Sequence, residues 1–210
     1  RLCDRRNEVG EVREPVGGIV LAAGAAQRYG QAKVLLSWHG QPFVRQVAQT
    51  ALSAGLDPVC VVAGAYYEEI RDAVQGLPVQ VIENPDWEMG QSSSLRAGLA
   101  CLPRRCGAAA FLLADQPQIA AGPIQQLVDL HAATLAPIVA PRVDGRRANP
   151  VLFDRATFHE LALLTGDTGG RELFARYPVQ WMDSTDRRLL FDVDTPADYE
   201  ALQGMETDSE

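Results

Sequence analysis

The chain has 210 residues, of which 47% are hydrophobic and 22% are charged, and its formal net charge is −8. This length corresponds to about one domain, which can bury a core without disulfide or metal cross-links. The acidic balance argues against binding of long nucleic acid, and no apolar run approaches the roughly 20 residues that span a bilayer. The polar N-terminal stretch lacks the pattern of a signal peptide, so we expect a cytoplasmic protein.

Short apolar runs alternate along the first two thirds of the chain with segments of helical periodicity. Strands are predicted at 18–22, 58–63, 79–82, 108–113 and 137–143. The intervening helices are marked by apolar residues at helical spacing that include Val44, Ile70, Leu95 and Ile124. This alternation predicts an α/β fold of three layers, in which a mostly parallel sheet carries helices on both faces. Ligands of such sheets bind beyond the carboxyl ends of the strands.

The alternation changes after Gly145. Shorter strands are predicted at 151–153, 179–182 and 189–191, with one helix over 157–164 and another after Gly170. We expect a single domain over residues 17–203, preceded by a flexible segment (1–16) and followed by an acidic tail (204–210).

Cysteine and histidine show no spacing that is typical of a metal site. The four cysteines form no CxxC pair, and Cys60 is interpreted as a reduced core thiol because it lies in an apolar run. The three histidines have no carboxylate or cysteine at ligand spacing, so we expect them at the surface or at the edge of the core. They are His39, His131 and His159.

The segment after the first predicted strand is rich in small residues and carries two cations. Glycine permits close approach of the backbone, so that amide groups can face oxygen anions, and the cations suit a triphosphate. The spacing fits neither a P-loop nor a dinucleotide fingerprint, and a flexible turn with two solvated cations explains these residues equally well. The residues are Leu21, Ala22, Ala23, Gly24, Arg28, Gly30 and Lys33.

Asp115 follows the apolar strand 108–113, so its carboxylate is expected at the carboxyl edge of the sheet, where Mg²⁺ bridging nucleotide phosphates would bind. The alternative is a helix cap. Asp194 is the natural second ligand, although it could also cap the helix that starts near Pro196, a role for which Thr195 competes. Asp192 is interpreted as structural. One hydroxyl of the run Ser92, Ser93 and Ser94 is expected to cap the helix that follows.

Five motifs in chain order resemble the nucleotidyltransferases with a Rossmann-like core, and most specifically the molybdenum cofactor cytidylyltransferases. The resemblance extends from Val20 to about Leu202 and implies a fold of the nucleotide-diphospho-sugar transferase type. The guanylyltransferase relatives usually carry LAGG in the first motif, where this chain has Ala23, and Gly170 stands where Ala is common. The motifs are LAAG at 21–24 with Arg28, Gly30 and Lys33; NPDWEMGQSSSLRAGL at 84–99; LADQP at 113–117; GDTGGR at 166–171; and DVDTP at 192–196.

The resemblance implies a Mg²⁺-dependent transfer of CMP from CTP to the phosphate of the molybdopterin-type molybdenum cofactor, with release of pyrophosphate. It implies a nucleotide-binding half (17–143) and an acceptor-binding half (144–203), and molybdenum hydroxylase apoenzymes as partners. The implied catalytic residues are Lys33, Arg28 and Asp115, and the metal ligands are Asp115 and Asp194. The implied nucleotide-binding residues are Leu21, Ala22, Ala23, Gly24, Arg28, Lys33, Gly90 and Ser94, and the acceptor-binding residues are Asn149, Asp167 and Arg171.

Two other functions remain open from the sequence. One is a related nucleotidyltransferase that acts on another phosphorylated acceptor. The other is a non-catalytic carrier that delivers the cofactor to molybdenum hydroxylases. The set Arg28, Lys33, Asp115 and Asp194 favours an enzyme, because a carrier has no need of a metal-phosphate site.

Overall fold

The computed structural model describes residues 14–24 and 32–205. The predictions for Arg28 and Gly30 lie outside these residues. The strands are β1 (Val16–Ala22), β2 (Ser37–Trp38), β3 (Gln41–Pro42), β4 (Val59–Ala63), β5 (Gln80–Glu83), β6 (Ala108–Leu113), β7 (Ile138–Val143), β8 (Arg146–Arg147), β9 (Val151–Asp154) and β10 (Val179–Ser184). The α-helices are α1 (Phe43–Ser53), α2 (Tyr67–Ala73), α3 (Gln91–Cys101), α4 (Ala121–Thr134), α5 (Phe158–Leu163) and α6 (Pro196–Gln203).

The main sheet has the strand order β10-β7-β9-β6-β1-β4-β5, with β8 paired to β7 at one side. Strands β5, β4, β1 and β6 run parallel to one another, whereas β9 is antiparallel to both β6 and β7. The central strands are apolar and almost wholly buried, as expected of parallel strands that are covered on both faces. The predicted α/β fold with a mostly parallel sheet is therefore confirmed.

The helices divide between the two faces of this sheet. Residues of α1, α2 and α4 pack in one apolar cluster, and residues of α3 and α5 pack in another. A third, smaller cluster contains Trp38, Phe43 and Leu202, and it joins the β2–β3 hairpin to α6. The indole Nε1 of Trp38 donates a hydrogen bond to the carbonyl of Leu202 at 3.0 Å. The C-terminal helix is thus held against the segment that follows Lys33.

Several local predictions were wrong. The strand predicted at 189–191 is a 3₁₀ turn (Arg187–Leu190), which begins where the Asp186 side chain accepts a hydrogen bond from the Arg188 amide. The first strand begins at the buried Val16, one residue before the expected start of the domain. No serine hydroxyl caps α3: its N-cap is Gly90, and Ser93 Oγ instead donates to the Gly90 carbonyl at 2.8 Å.

Two residues with reactive side chains have partners that the sequence did not reveal. Cys60 is not a reduced thiol, because it forms a disulfide with Cys101, 41 positions later. The last turn of α3 packs near β4 and brings the two cysteines together. His131 is buried, and its Nε2 lies 2.9 Å from the Asp154 carboxylate. Within residues 14–24 and 32–205, no helix combines the length and the apolar character that crossing a membrane requires.

Candidate active site

The turn that follows β6 places Asp115 at the carboxyl end of the central strands. Two buried glutamines hold this turn against the segment that leads to Asp194. The side-chain amide of Gln116 donates to the Phe191 carbonyl at 3.2 Å, and that of Gln118 donates to the same carbonyl at 2.7 Å. The Val193 amide donates to the Asp115 carbonyl at 3.3 Å. Gln116 of the LADQP motif and the neighbouring Gln118 therefore bring two distant motifs together.

Asp194 lies immediately before α6, in a backbone geometry that Thr195 fixes. Thr195 and Asp198 form a capping box, in which the threonine hydroxyl accepts from the Asp198 amide and the Asp198 carboxylate accepts from the Thr195 amide. The structure therefore assigns the cap to Thr195 and leaves the Asp194 carboxylate directed at Lys33. The third apolar cluster positions α6, and with it Asp194.

Lys33 bridges the two carboxylates. Its Nζ lies 2.6 Å from Asp115 Oδ2 and 3.1 Å from Asp194 Oδ1. Burial opposes the charged ammonium group, but the charge and hydrogen bond of Asp115, together with those of Asp194, outweigh it. The pKa of Lys33 consequently lies above its ordinary value. Both carboxylates thus face one point that is occupied by a positive charge.

Among the described residues, more than two carboxyl groups surround the ammonium group of Lys33. Asp192 adds a third carboxyl, and its pKa is raised to about 6 by burial and by the negative charges of Asp115 and Asp194. Asp115 Oδ1 is buried and accepts no hydrogen bond from the residues that the structure describes. Among the described residues, no three His, Cys, Asp or Glu side chains form a metal-binding group. The convergence of Asp115 and Asp194 on one positive charge fits a cation that takes one or two carboxylates and completes its coordination with phosphate oxygens and water, as Mg²⁺ does.

A cleft of about 800 Å³ opens above these residues, large enough for a nucleotide. Its lining includes every described residue that was predicted to bind nucleotide or metal. Trp87, which the sequence suggested to be a packing residue, and Gln91, which it did not assign, also line the cleft. The predicted residues in the lining are Leu21, Ala22, Ala23, Gly24, Lys33, Gly90, Ser94, Asp115 and Asp194.

Ser94 is held at the cleft by the buried Asn84. The Asn84 side-chain amide donates to Ser94 Oγ at 3.1 Å and to Ser93 Oγ at 2.8 Å. Because one lone pair of Ser94 Oγ is taken, its hydroxyl hydrogen is available to a hydrogen-bond acceptor in the cleft. The NP dipeptide that opens the second motif could have indicated this role.

Gly90 lies where α3 meets the turn 166–171. Its φ is +97°, and a Cβ at this position would lie 2.5 Å from the carbonyl carbon and oxygen of Gly166. The Ser92 amide, in the first turn of α3, donates a hydrogen bond to the Gly166 carbonyl at 3.2 Å and so links the helix to this turn. Glycine is required here by its conformational freedom and by the lack of a side chain.

A second pocket of about 300 Å³ adjoins the cleft, and the two share Leu21, Gln91, Leu113 and Asp167 in their linings. All three predicted acceptor-binding residues line it: Asn149, Asp167 and Arg171. Arg147 and Phe174 also line it, and the sequence analysis did not assign them. The departure at Gly170 has a local reason, because a Cβ there would lie 2.7 Å from the ring of Phe153.

A fold with a nucleotide-sized cleft at the carboxyl ends of parallel strands, with two converging carboxylates and a lysine, is typical of nucleotide-dependent transferases. Residues 18–181 match the family model of the MobA-like NTP transferase domain. The chain belongs to this family of nucleotidyltransferases.

Three curated relatives match over most of their length. The chain is 31% identical to nicotine blue oxidoreductase from Paenarthrobacter nicotinovorans, over 86% of this chain and 92% of that protein. It is 31% identical to the purine catabolism protein PucB from Bacillus subtilis, over 89% of this chain and 95% of that protein. It is 29% identical to a probable molybdenum cofactor guanylyltransferase from Synechococcus elongatus, over 88% and 96%.

A solved structure has the same architecture. Rv0371c from Mycobacterium tuberculosis is 31% identical, covers 91% of this chain and all of its own, and has a TM-score of 0.80. A second structure of Rv0371c is described as a complex with manganese (30% identity, TM-score 0.77, coverage 91% and 100%). A divalent metal is therefore found with a relative of this chain.

Proposed function

We propose that this protein is a molybdenum cofactor cytidylyltransferase. It would transfer CMP from CTP to the phosphate of molybdopterin-bound molybdenum and release pyrophosphate. The observation that carries the proposal is the junction of two pockets of different size beside the Lys33–Asp115–Asp194 cluster. The larger can accept the nucleotide and the smaller the acceptor, so that the reacting phosphates meet near the carboxylates.

Asp115 and Asp194 would hold a divalent cation, as the buried and unpaired Asp115 Oδ1 supports. A divalent cation bound there would neutralise charge on the nucleotide phosphates as a Lewis acid. Lys33, which forms ion pairs with both carboxylates, would present its ammonium group to the departing pyrophosphate when a divalent cation binds these carboxylates. Arg28, to which the resemblance gives the same role, would assist it.

The acceptor would need no activated side-chain nucleophile. A phosphate monoester is already an anionic oxygen nucleophile, so catalysis reduces to positioning and to neutralisation of charge at the α-phosphate. The oxygen of the acceptor phosphate would form the new P–O bond, and the bond to pyrophosphate would break. Asp167 and Gln91, in the lining of both pockets, mark where the two substrates would meet.

Two features support CTP over GTP. Ala23 is buried and lines the cleft with its methyl group, where guanine-using relatives usually have glycine. A larger purine would overpack a pocket fitted to a pyrimidine, at a cost of roughly 1–3 kcal/mol. The Ser94 hydroxyl, oriented by Asn84, can donate to an acceptor on the cytosine edge.

The test is to incubate the protein with Mg²⁺, the molybdenum cofactor and each of the four nucleoside triphosphates in turn, and to measure pyrophosphate. We expect release with CTP that requires the cofactor. Release that continues without the cofactor, or preference for GTP, would contradict the proposal. Binding of the cofactor without release from any nucleotide would favour the carrier.

A further inference from the structure

We propose that Arg147 and Arg171 together bind the dianionic phosphate group of the acceptor at the mouth of the smaller pocket. The inference rests on the proposed function and extends it by assigning Arg147, to which the sequence analysis gave no role. It defines the acceptor class as phosphate monoesters, as opposed to neutral alcohols or amines.

The fold places Arg147 at this pocket by a tight hairpin. Strands β7 and β8 are joined by Asp144 and Gly145, which both have positive φ, at +49° and +75°. Such a two-residue connection fixes the register of the hairpin, and Arg147 pairs with Arg142 across it. Successive residues of a strand point to opposite faces, so Arg146 does not share the face of Arg147. Only Arg147 of these two lines the pocket.

An aromatic series supports the guanidinium group of Arg147. Its Cζ lies 4.8 Å from the centroid of the Phe174 ring. Phe174 in turn contacts Phe153, with centroids 6.3 Å apart, and Trp181, with centroids 5.8 Å apart. Stacking on a ring restricts the guanidinium group while leaving its N–H donors free to bind an anion. Arg147 is thereby oriented without being neutralised.

Arg147 has no carboxylate partner among residues 14–24 and 32–205. Its cross-strand neighbour Arg142 differs, because Arg142 Nε bonds to Asp183 Oδ1 at 2.7 Å. Arg171 has a weak partner, since its Nε lies 4.0 Å from Glu172 Oε1, which is the longest distance for an ion pair. Asp167 lines the same pocket and is the acidic group in that lining.

The two guanidinium groups are close enough to repel each other. Partial burial and the positive charge of Arg171 lower the pKa of Arg147 below its ordinary value. Two arginines that line one pocket with a single acidic residue, Asp167, leave it a net positive charge, and they can bind a doubly charged anion through paired N–H donors. A phosphate monoester near neutral pH carries close to two negative charges. Such a phosphate must approach the negative charges of CTP and of the carboxylates, and the two arginines would offset the resulting repulsion.

The test compares three methionine variants, which keep an unbranched apolar side chain but remove the charged guanidinium group. In assays of CMP transfer, Arg147→Met and Arg171→Met should each raise the acceptor KM at least about tenfold, as expected for loss of a hydrogen bond to a charged group. The KM for CTP should stay within about twofold. Arg146→Met is the matched control, since Arg146 is exposed like Arg147 but does not line the pocket, and it should leave both constants unchanged. Arg147→Lys should restore part of the loss.

A second measurement does not require turnover. Inorganic phosphate is titrated against the full chain at constant ionic strength, and the Tm is recorded. We expect saturable stabilisation of the parent and of Arg146→Met, and a much weaker effect on Arg147→Met. If the parent fails to transfer CMP but this pattern holds, the proposed function is wrong and the phosphate site stands. If phosphate stabilises all three proteins equally, or the acceptor KM of Arg147→Met is unchanged, the phosphate site is wrong.

Discussion

Replacing Gly90 with alanine tests whether close contact between α3 and the turn 166–171 holds the two pockets together. A residue with a side chain at φ +97° carries backbone strain of roughly 1–3 kcal/mol. The added Cβ would also lie 2.5 Å from the backbone of Gly166, which cannot move as the end of a flexible side chain can. The turn must shift, and the hydrogen bond from the Ser92 amide to the Gly166 carbonyl, now 3.2 Å, must lengthen or break.

Gly76 provides the matched control. Its φ is +84°, but a Cβ there would meet nothing within 4 Å. We expect Gly76→Ala to lower the free energy of unfolding by roughly 1–2 kcal/mol, the cost of a left-handed conformation, and to leave kcat/KM unchanged. Gly90→Ala should destabilise the protein further and reduce kcat/KM at least about tenfold, which is about 1.4 kcal/mol. Urea unfolding and steady-state kinetics measure both. Equal stability of the two variants with normal activity would refute the assigned contact.

Three further changes test other parts of the site and the fold. Ala23→Gly should lower the preference for CTP over GTP in kcat/KM, and an unchanged ratio would remove the steric explanation. Lys33→Ala should raise the KM for CTP more than that for the acceptor; an effect on the acceptor alone would contradict its assignment. Hydrogen bonds from Tyr177 and Arg176 hold the pKa of Glu160 below its ordinary 4.5. Its contribution to stability is therefore present above that pH and lost as the pH falls through the lowered value. Glu160→Gln should be destabilising in urea at pH 7, with a difference that shrinks as the pH falls below 4.5; a difference independent of pH would exclude this ion-pair role.

The sequence predicted the parallel core well because each central strand is a continuous apolar run with no polar face. The strand at 108–113 matches β6 at both ends. It also predicted the position of Asp115, since a polar residue directly after such a run must lie at the edge of the sheet. Local patterns were sufficient for these features.

Features that depend on distant partners were missed. The segment 189–191 is apolar like a strand, but the Asp186 side chain begins a 3₁₀ turn there. The disulfide between Cys60 and Cys101 depends on how α3 packs against β4, which no local spacing reveals. Gln116 and Gln118 act by binding backbone carbonyls about 70 positions later in the chain. Their role as a link between the LADQP and DVDTP motifs became evident only from the tertiary structure.

The most direct test of the central claim follows the α-phosphorus of CTP. CTP labelled at that atom is incubated with Mg²⁺ and the molybdenum cofactor, and the label is traced to the cofactor and to free CMP. The parent should transfer the label to the cofactor. Asp115→Asn should reduce the rate of this transfer by about 10²-fold or more while retaining the parent's unfolding transition. Near-parental transfer by Asp115→Asn at saturating Mg²⁺, or label that never reaches the cofactor in the parent, would contradict the account.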